Sequence, residues 1–173
     1  MDFHTKLKNA EFWFTQASQM FEASKVLFQS MISADSSNTR VVGSHKGSMF
    51  FLGIALENAI KGLLAYKGLL IFEKEKLSTH KSFPKCKPHD LGPLINLLEV
   101  EVDISEQSLL ERLSIYTIWA GKYGTPIAED DFINSNHKLF QKENDFTIAS
   151  SLISRLQLLS GFTIESGWPT IKE

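Results

Sequence analysis

One segment of the chain constrains the fold more than any other: an apolar stretch that reads GIALENAIKGLLAYKG, Gly53–Gly68. Large apolar residues from Phe50 to Leu64 occupy most of the circumference of a helix. A helix with so little polar surface is usually central, because its neighbours must cover it on several sides. We therefore expect a central helix that starts near Ser44–Ser48, runs to Tyr66 and is closed by Gly68.

Four further segments have the spacing of amphipathic helices. No window combines β-branched alternation with a hairpin turn, so the sequence predicts an all-α fold of about five helices. Gly121, Gly124 and Pro126 mark the end of the fourth helix. The four segments are Leu7–Met31, Leu91–Leu98, Leu109–Ala120 and Phe146–Ser160.

The segments between these helices are polar. We expect loops at Asp35–Thr39 and at the Lys-rich stretch 73–87, and a polar connection with at most one short turn from Glu129 to Asn144. Asp90 and Ser105 are predicted N-caps of the third and fourth helices. Lys-rich loops can also contact phosphates; the lysines in question are Lys74, Lys76, Lys81, Lys85 and Lys87.

The length of 173 residues fits one domain, with a core at about 7–160 and a tail at 161–173. A net charge of −2 predicts no strong overall attraction to nucleic acid, so any phosphate contact must come from a local patch. The single cysteine, Cys86, fits a reducing compartment. With no signal-peptide pattern and no uninterrupted apolar span, we expect a cytoplasmic protein that does not enter the membrane.

Two polar residues interrupt the central helix. Glu57 and Lys61 lie four residues apart in the order that favours an ion pair on a helix surface. In the alternative interpretation they line a cleft, where Lys61 contacts phosphate and Glu57 holds the ammonium in place.

The pair His89-Asp90 precedes the third helix. Asp90 is expected to cap it, and His89 to bond a nearby carbonyl or Glu57; a ligand-binding role for either is the alternative. A zinc site built on His80, Cys86 and His89 lacks an evident fourth ligand. We therefore predict no metal and no cofactor.

Three large or charged residues close the fourth helix. Trp119, Lys122 and Tyr123 have the spacing i, i+3 and i+4, which predicts a cluster on one side of the helix end. A base could stack on either ring while Lys122 contacts a phosphate. Alternatively, the two rings pack against the central helix or a partner subunit.

Taken in order, several of these segments resemble the HEPN family, the higher eukaryote and prokaryote nucleotide-binding domains. They are EFWFTQASQMFEASKVLF, LENAIKGLLAYKG, PHDLGPLINLL and SIYTIWAGKYGTP. The resemblance implies an up-and-down antiparallel helical bundle that often forms a homodimer. It also implies a bacterial ribonuclease, a toxin–antitoxin protein with a nucleotidyltransferase partner, or a non-catalytic binding module.

Ribonuclease members of that family carry an Arg, four to six spacers and a His on a late helix. This chain has Trp119 to Tyr123 at the matching place and lacks both residues there. A literal match to this pattern of Arg, four spacers and His occurs at Arg40 and His45, which we expect in the loop before the central helix.

The resulting prediction is a non-catalytic HEPN-like domain that binds a nucleotide, RNA or a partner protein. A homodimer is expected because the first two helices offer more apolar surface than five helices easily cover. The predicted ligand-binding residues are Glu57, Lys61, His89, Asp90, Trp119, Lys122 and Tyr123. The alternatives are a metal-independent ribonuclease that uses Arg40 and His45, or His89 as the base, and a pure protein-interaction module.

Overall fold

The chain forms an all-α helical bundle, as predicted. A computed structural model describes residues 3–34, 38–84 and 86–169. The long helices are α2, α3, α6 and α8, and shorter helices connect them. The bounds are α1 Phe3–Lys8, α2 Ala10–Ile32, α3 Asn38–Tyr66, α4 Thr79–Ser82, α5 Leu91–Asn96, α6 Ile104–Ile115, α7 Glu129–Ser135 and α8 Asp145–Leu159.

Two short strands and two short helical segments complete the described secondary structure. Strands β1 (Phe72–Glu73) and β2 (Lys76–Leu77) pair in an antiparallel hairpin. A π-helix, Tyr116–Ala120, continues α6, and a 3₁₀-helix, Asn136–Lys138, continues α7.

Helix α3 is the centre of the bundle, and most of its second half is buried. Helix α2 packs along it in the antiparallel direction: the Ser24 hydroxyl donates to the Ser48 carbonyl at 2.8 Å near one end, and Phe14 lies against Gly62 near the other. Helices α5, α6 and α8 cover its remaining sides. The prediction of a central, largely apolar helix is therefore confirmed.

Among the described residues, α3 is also the one helix that could cross a membrane if length and composition alone are considered. Its most apolar window has a mean hydropathy of 1.4, and 78% of that window is buried inside the protein. Core helices of soluble proteins meet the same test.

The predicted bounds of the first two helices were wrong. The segment 7–31 is divided at Asn9, whose side chain accepts the Glu11 backbone N–H at 2.9 Å and so starts α2 as a separate helix. Helix α3 begins at Asn38, before the predicted start, so Asn38 and Thr39 are helical. Asp35–Ser37, the rest of that predicted loop, lies outside the described residues.

The Lys-rich stretch 73–87 is more ordered than a loop. Lys74 and Glu75 adopt positive φ angles of 47° and 62°, which turn the chain between β1 and β2. Helix α4 follows, and the Ser82 hydroxyl accepts the Ile71 N–H at 2.8 Å, which fixes the hairpin to it. Lys85 lies outside the described residues.

Two other predictions fail for local reasons. The N-cap of α6 is Asp103 and not Ser105: Asp103 accepts the Glu106 N–H at 2.8 Å, and Glu106 accepts the Asp103 N–H at 3.1 Å. This is a capping box. The polar connection 129–144 contains α7, a seven-residue helix whose first turn holds three acidic residues.

Close packing of α3 against α6 requires glycine at position 53. A methyl group added to Gly53 would lie 2.6 Å from Cγ2 of Thr117 and 3.3 Å from the Leu113 carbonyl oxygen. We expect Gly53→Ala to lower the free energy of unfolding by about 1–3 kcal/mol, because α6 must move.

Gly43, on the same helix, is the matched control. No atom lies within 4 Å of an added methyl group there, so Gly43→Ala should raise the stability by about 0.5–1 kcal/mol. Urea unfolding of both variants measures the contrast, and equal effects would contradict this account.

Candidate functional site

The predicted ion pair of Glu57 and Lys61 exists, but it is buried and does not lie on a helix surface. Lys61 Nζ lies 2.5 Å from Glu57 Oε1, and the two side chains are 10% and 7% exposed. The ammonium also lies 5.9 Å from the Trp13 ring centre and 5.7 Å from that of Phe83. Lys61 is therefore enclosed by a carboxylate and two rings, which does not suit a residue that contacts phosphate.

The second oxygen of Glu57 links the central helix to the start of α5. His89 Nδ1 lies 2.9 Å from Glu57 Oε2, which is one of the contacts predicted for His89. Burial alone raises the pKa of Glu57, but the His89 hydrogen bond and the Lys61 ammonium outweigh it and lower the pKa overall. Glu57 is thus an ionised carboxylate that holds two partners in place.

Asp90 occupies the N-cap position of α5, but its carboxylate does not cap the helix. The third helical residue is Pro93, which has no N–H to donate. The Leu91 N–H is instead accepted by the Ser114 hydroxyl at 2.8 Å. The predicted capping role of Asp90 is therefore wrong, and its half-buried carboxylate makes no hydrogen bond to any residue that the structure describes.

Asp90 is one of the residues that line a groove between α5, α6 and α7, with a volume of about 320 Å³. The other residues of its lining are Lys87, Gly92, Pro93, Glu111, Ser114, Ile115, Ile118, Trp119, Asp131, Asn134, Ser135 and Lys138. We call this the Asp90 groove.

The charges of the Asp90 groove are mixed. Lys138 Nζ lies 3.3 Å from a carboxylate oxygen of Glu111, so these two charges offset each other. The charged side chains that remain in the lining are Lys87, Asp90 and Asp131. The lining as a whole carries two positive and three negative side chains, and it is not a general anion site.

Sequence reasoning missed the wall that α7 contributes. Asp131, Asn134, Ser135 and Lys138 have the spacing i, i+3, i+4 and i+7, which places them on one face of a helix. The acidic residues and the polar composition of this segment favoured a loop, and a loop has no helical spacing to interpret. If the segment is taken as a helix, the spacing predicts a polar helix face at this position.

Trp119, Lys122 and Tyr123 differ in their surroundings. Trp119 lies in the π-helix and is 7% exposed, whereas Tyr123 follows the helix end and is 60% exposed. Lys122 Nζ lies 5.7 Å from the ring centre of Phe50. The Lys122 and Tyr123 backbone N–H groups both donate to the Trp119 carbonyl at 2.9 Å, so the three residues lie within one turn at the end of the π-helix. A shared binding surface of these three residues stays a prediction.

Arg40 and His45 lie on α3 and not in a loop. Five helical residues rotate a side chain by about 140°, so the two point in different directions. Arg40 is exposed, and His45 Nε2 lies 2.9 Å from the Tyr116 hydroxyl in the interior. Burial lowers the pKa of His45 and raises that of Tyr116 to about 12. Arg40 and His45 therefore do not converge on one cleft.

A buried ion pair joins α6 to the start of α8, and the sequence did not predict it. Arg112 contacts both carboxylate oxygens of Asp145 at 2.6 and 2.7 Å, and its side chain is 3% exposed. Arg112 also donates to the Phe140 carbonyl at 3.0 Å. Both terminal guanidinium nitrogens are thus bound within the protein, whereas Arg112 Nε is buried without a hydrogen-bond partner among the described residues. The pair holds α6 against the start of α8.

The three residues of the zinc alternative do not form a metal site. Among the residues 3–34, 38–84 and 86–169, no group of three or more His, Cys, Asp or Glu side chains could hold a metal ion. His80 Nδ1 instead lies 3.2 Å from the Ser78 hydroxyl.

Of the seven predicted ligand-binding residues, the structure thus places Asp90 and Trp119 in the lining of one groove. It joins the buried Glu57 both to the buried Lys61 and to the half-exposed His89. Lys122 and Tyr123 belong to neither group. We found no match to this chain among protein-family models, curated proteins or solved structures.

Proposed function

We propose that the domain binds a nucleotide, either free or as part of RNA, in the Asp90 groove, and that it does so without catalysing a reaction. The observation that carries this proposal is Asp90, a half-buried residue of the groove lining whose carboxylate makes no hydrogen bond or ion pair with the described residues. Burial raises the pKa of the Cys86 thiol, and the charge of Asp90 helps to raise it. The resemblance to HEPN domains leads to the same class of ligand.

The groove offers complementary contacts for such a ligand. The carboxylate of Asp90 accepts hydrogen bonds from the N–H groups of a base. Ile115, Ile118 and Trp119 give the lining an apolar part for the ring. Lys87, which also lines the groove, can contact one phosphate. The volume of about 320 Å³ falls within the range of small-molecule sites.

Asp90→Asn is expected to weaken nucleotide binding by at least about tenfold, since one charge-assisted hydrogen bond contributes about 1.5–3 kcal/mol. The fold should be unchanged, because no described residue depends on that carboxylate. Isothermal titration calorimetry measures the affinity, and Asp130→Asn, which removes an exposed carboxylate of α7 outside the groove, is the control. Equal affinities in both variants would contradict the assignment of Asp90.

A second proposal concerns self-association. A groove of about 650 Å³ separates α2 from α8, and the rings of Phe21, Phe28 and Phe146 line it. Val26 on α2 and Leu158 on α8 are also more than half exposed. We propose that a second copy of the chain covers this surface.

Light scattering of the pure protein tests this dimer. Ser151→Lys places a charge on the exposed wall of the groove and should convert the dimer to a monomer, whereas Ser166→Lys, in the C-terminal turn outside the groove, should not. A wild-type monomer would refute the proposal. A nucleotidyltransferase-type partner and a toxin–antitoxin role stay predictions from the resemblance.

A further inference from the structure

We infer that the base recognised in the Asp90 groove is guanine, presented by a ligand with few phosphates. This inference rests on the proposed function and adds the identity of the ligand. It follows from the donor and acceptor chemistry of Asp90 and from the charge of the groove.

An ionised carboxylate only accepts hydrogen bonds, and its two oxygens can accept two parallel bonds. Guanine presents two adjacent donors on its pairing edge, the ring N1–H and the exocyclic N2 amine. Adenine and cytosine each present one amine beside a ring acceptor, and uracil presents one N–H between two carbonyl oxygens. Guanine is therefore the one common base that matches both oxygens of Asp90.

The surrounding contacts keep Asp90 available for this role. The Ser114 hydroxyl accepts the Leu91 N–H and donates to the Leu110 carbonyl at 2.8 Å, so it anchors the start of α5 on α6. The Thr117 hydroxyl adds a bond to the His89 carbonyl at 2.8 Å. The backbone on both sides of Asp90 is thus held in place without using its carboxylate.

The charge of the groove limits the number of phosphates. Once Lys138 and Glu111 are paired, the charged side chains left in the lining are Lys87, Asp90 and Asp131, which gives a net charge of −1. A triphosphate would add several negative charges near Asp131 with one unpaired lysine to meet them. Guanosine or its monophosphate should therefore bind more tightly than the triphosphate.

The test is a titration of the full chain with the four nucleoside monophosphates, guanosine and guanosine triphosphate. We expect guanosine monophosphate to bind at least about tenfold more tightly than the other three monophosphates, the discrimination typical of one bidentate contact. It should also bind more tightly than the triphosphate. Equal affinity for the four monophosphates would overturn the inference and leave the proposed function standing; no binding of any nucleotide or RNA would overturn both.

Two variants and two RNAs sharpen the test. Asp90→Asn should remove the preference for guanine, whereas Asp131→Asn should keep it and bring the triphosphate closer in affinity to the monophosphate. Short single-stranded RNAs with and without one guanine identify the source of the base: a difference between these RNAs without binding of the monophosphate supports guanine within RNA. If Asp90→Asn retains the full preference for guanine, the inference is wrong.

Discussion

Asp145→Ala should lower the free energy of unfolding by about 3–5 kcal/mol, the largest effect we expect from a single substitution. Asp145 is fully buried, and Arg112, counted as a whole residue, is 2% exposed. Without the carboxylate, the Arg112 guanidinium is a buried charge with no counter-ion. The Lys142 backbone N–H, which Asp145 accepts at 2.8 Å, also loses its partner at the start of α8.

Urea unfolding measures this change, and the double variant Arg112→Met/Asp145→Leu is the informative control. It removes both charges and leaves apolar side chains, so it should recover most of the loss. Glu111→Gln breaks an exposed pair with Lys138 and should cost less than about 1 kcal/mol. A loss from Asp145→Ala as small as that of Glu111→Gln would contradict the assigned role.

Glu57→Gln should have the second largest effect, about 3 kcal/mol at neutral pH. The substitution leaves the Lys61 ammonium without its counter-ion in a site that is 10% exposed. It also weakens the link to His89, which holds α5 against α3. The loss should be smaller than that of Asp145→Ala because the His89 side chain is 47% exposed and can be solvated.

The lowered pKa of Glu57 also predicts that the stability of the protein depends on pH. The pKa of Glu57 is lower in the folded protein than its ordinary value of 4.5. The unfolded chain therefore takes up the proton first as the pH falls below 4.5, and the stabilisation is lost as the pH falls through the folded pKa. Above pH 4.5 the contribution of the ionised Glu57 to the stability is fully present.

Urea unfolding over a pH series from neutral to acid checks this dependence. The wild type should lose more stability than Glu57→Gln, which has no carboxylate to protonate at this position. Glu129→Gln, an exposed change on α7, should follow the wild type. Parallel curves for the wild type and Glu57→Gln would rule out the proposed contribution.

The sequence was sufficient to predict the core of the fold because local periodicity encodes it. The apolar circumference of α3 and the stripe of α8 identify helices that must be covered, and the structure confirms both. Contacts between distant residues are not encoded in this way. Arg112 and Asp145 are 33 positions apart, and neither position has a pattern that marks it as buried.

Two aspartates that precede helices show why the candidate site was harder to predict. Asp103 caps α6 because the third helical residue, Glu106, has an N–H that it can accept. Asp90 has the same position before α5, but Pro93 removes that donor. The residue type predicted the start of α5 at Asp90, but for α6 it favoured Ser105, two residues after the actual cap. One proline decided which carboxylate stayed available for a ligand.

The central position of α3 has a consequence for synthesis of the chain. Helices α2 and α3 are neighbours in sequence and can pair early, but α8 covers another side of α3 and is made last. About 90 residues separate the ends of α3 and α8. At about 5–20 residues per second, the nascent chain exposes an apolar helix face for roughly 5–20 s. During that interval the unfinished protein is a substrate for chaperones and a hazard for aggregation.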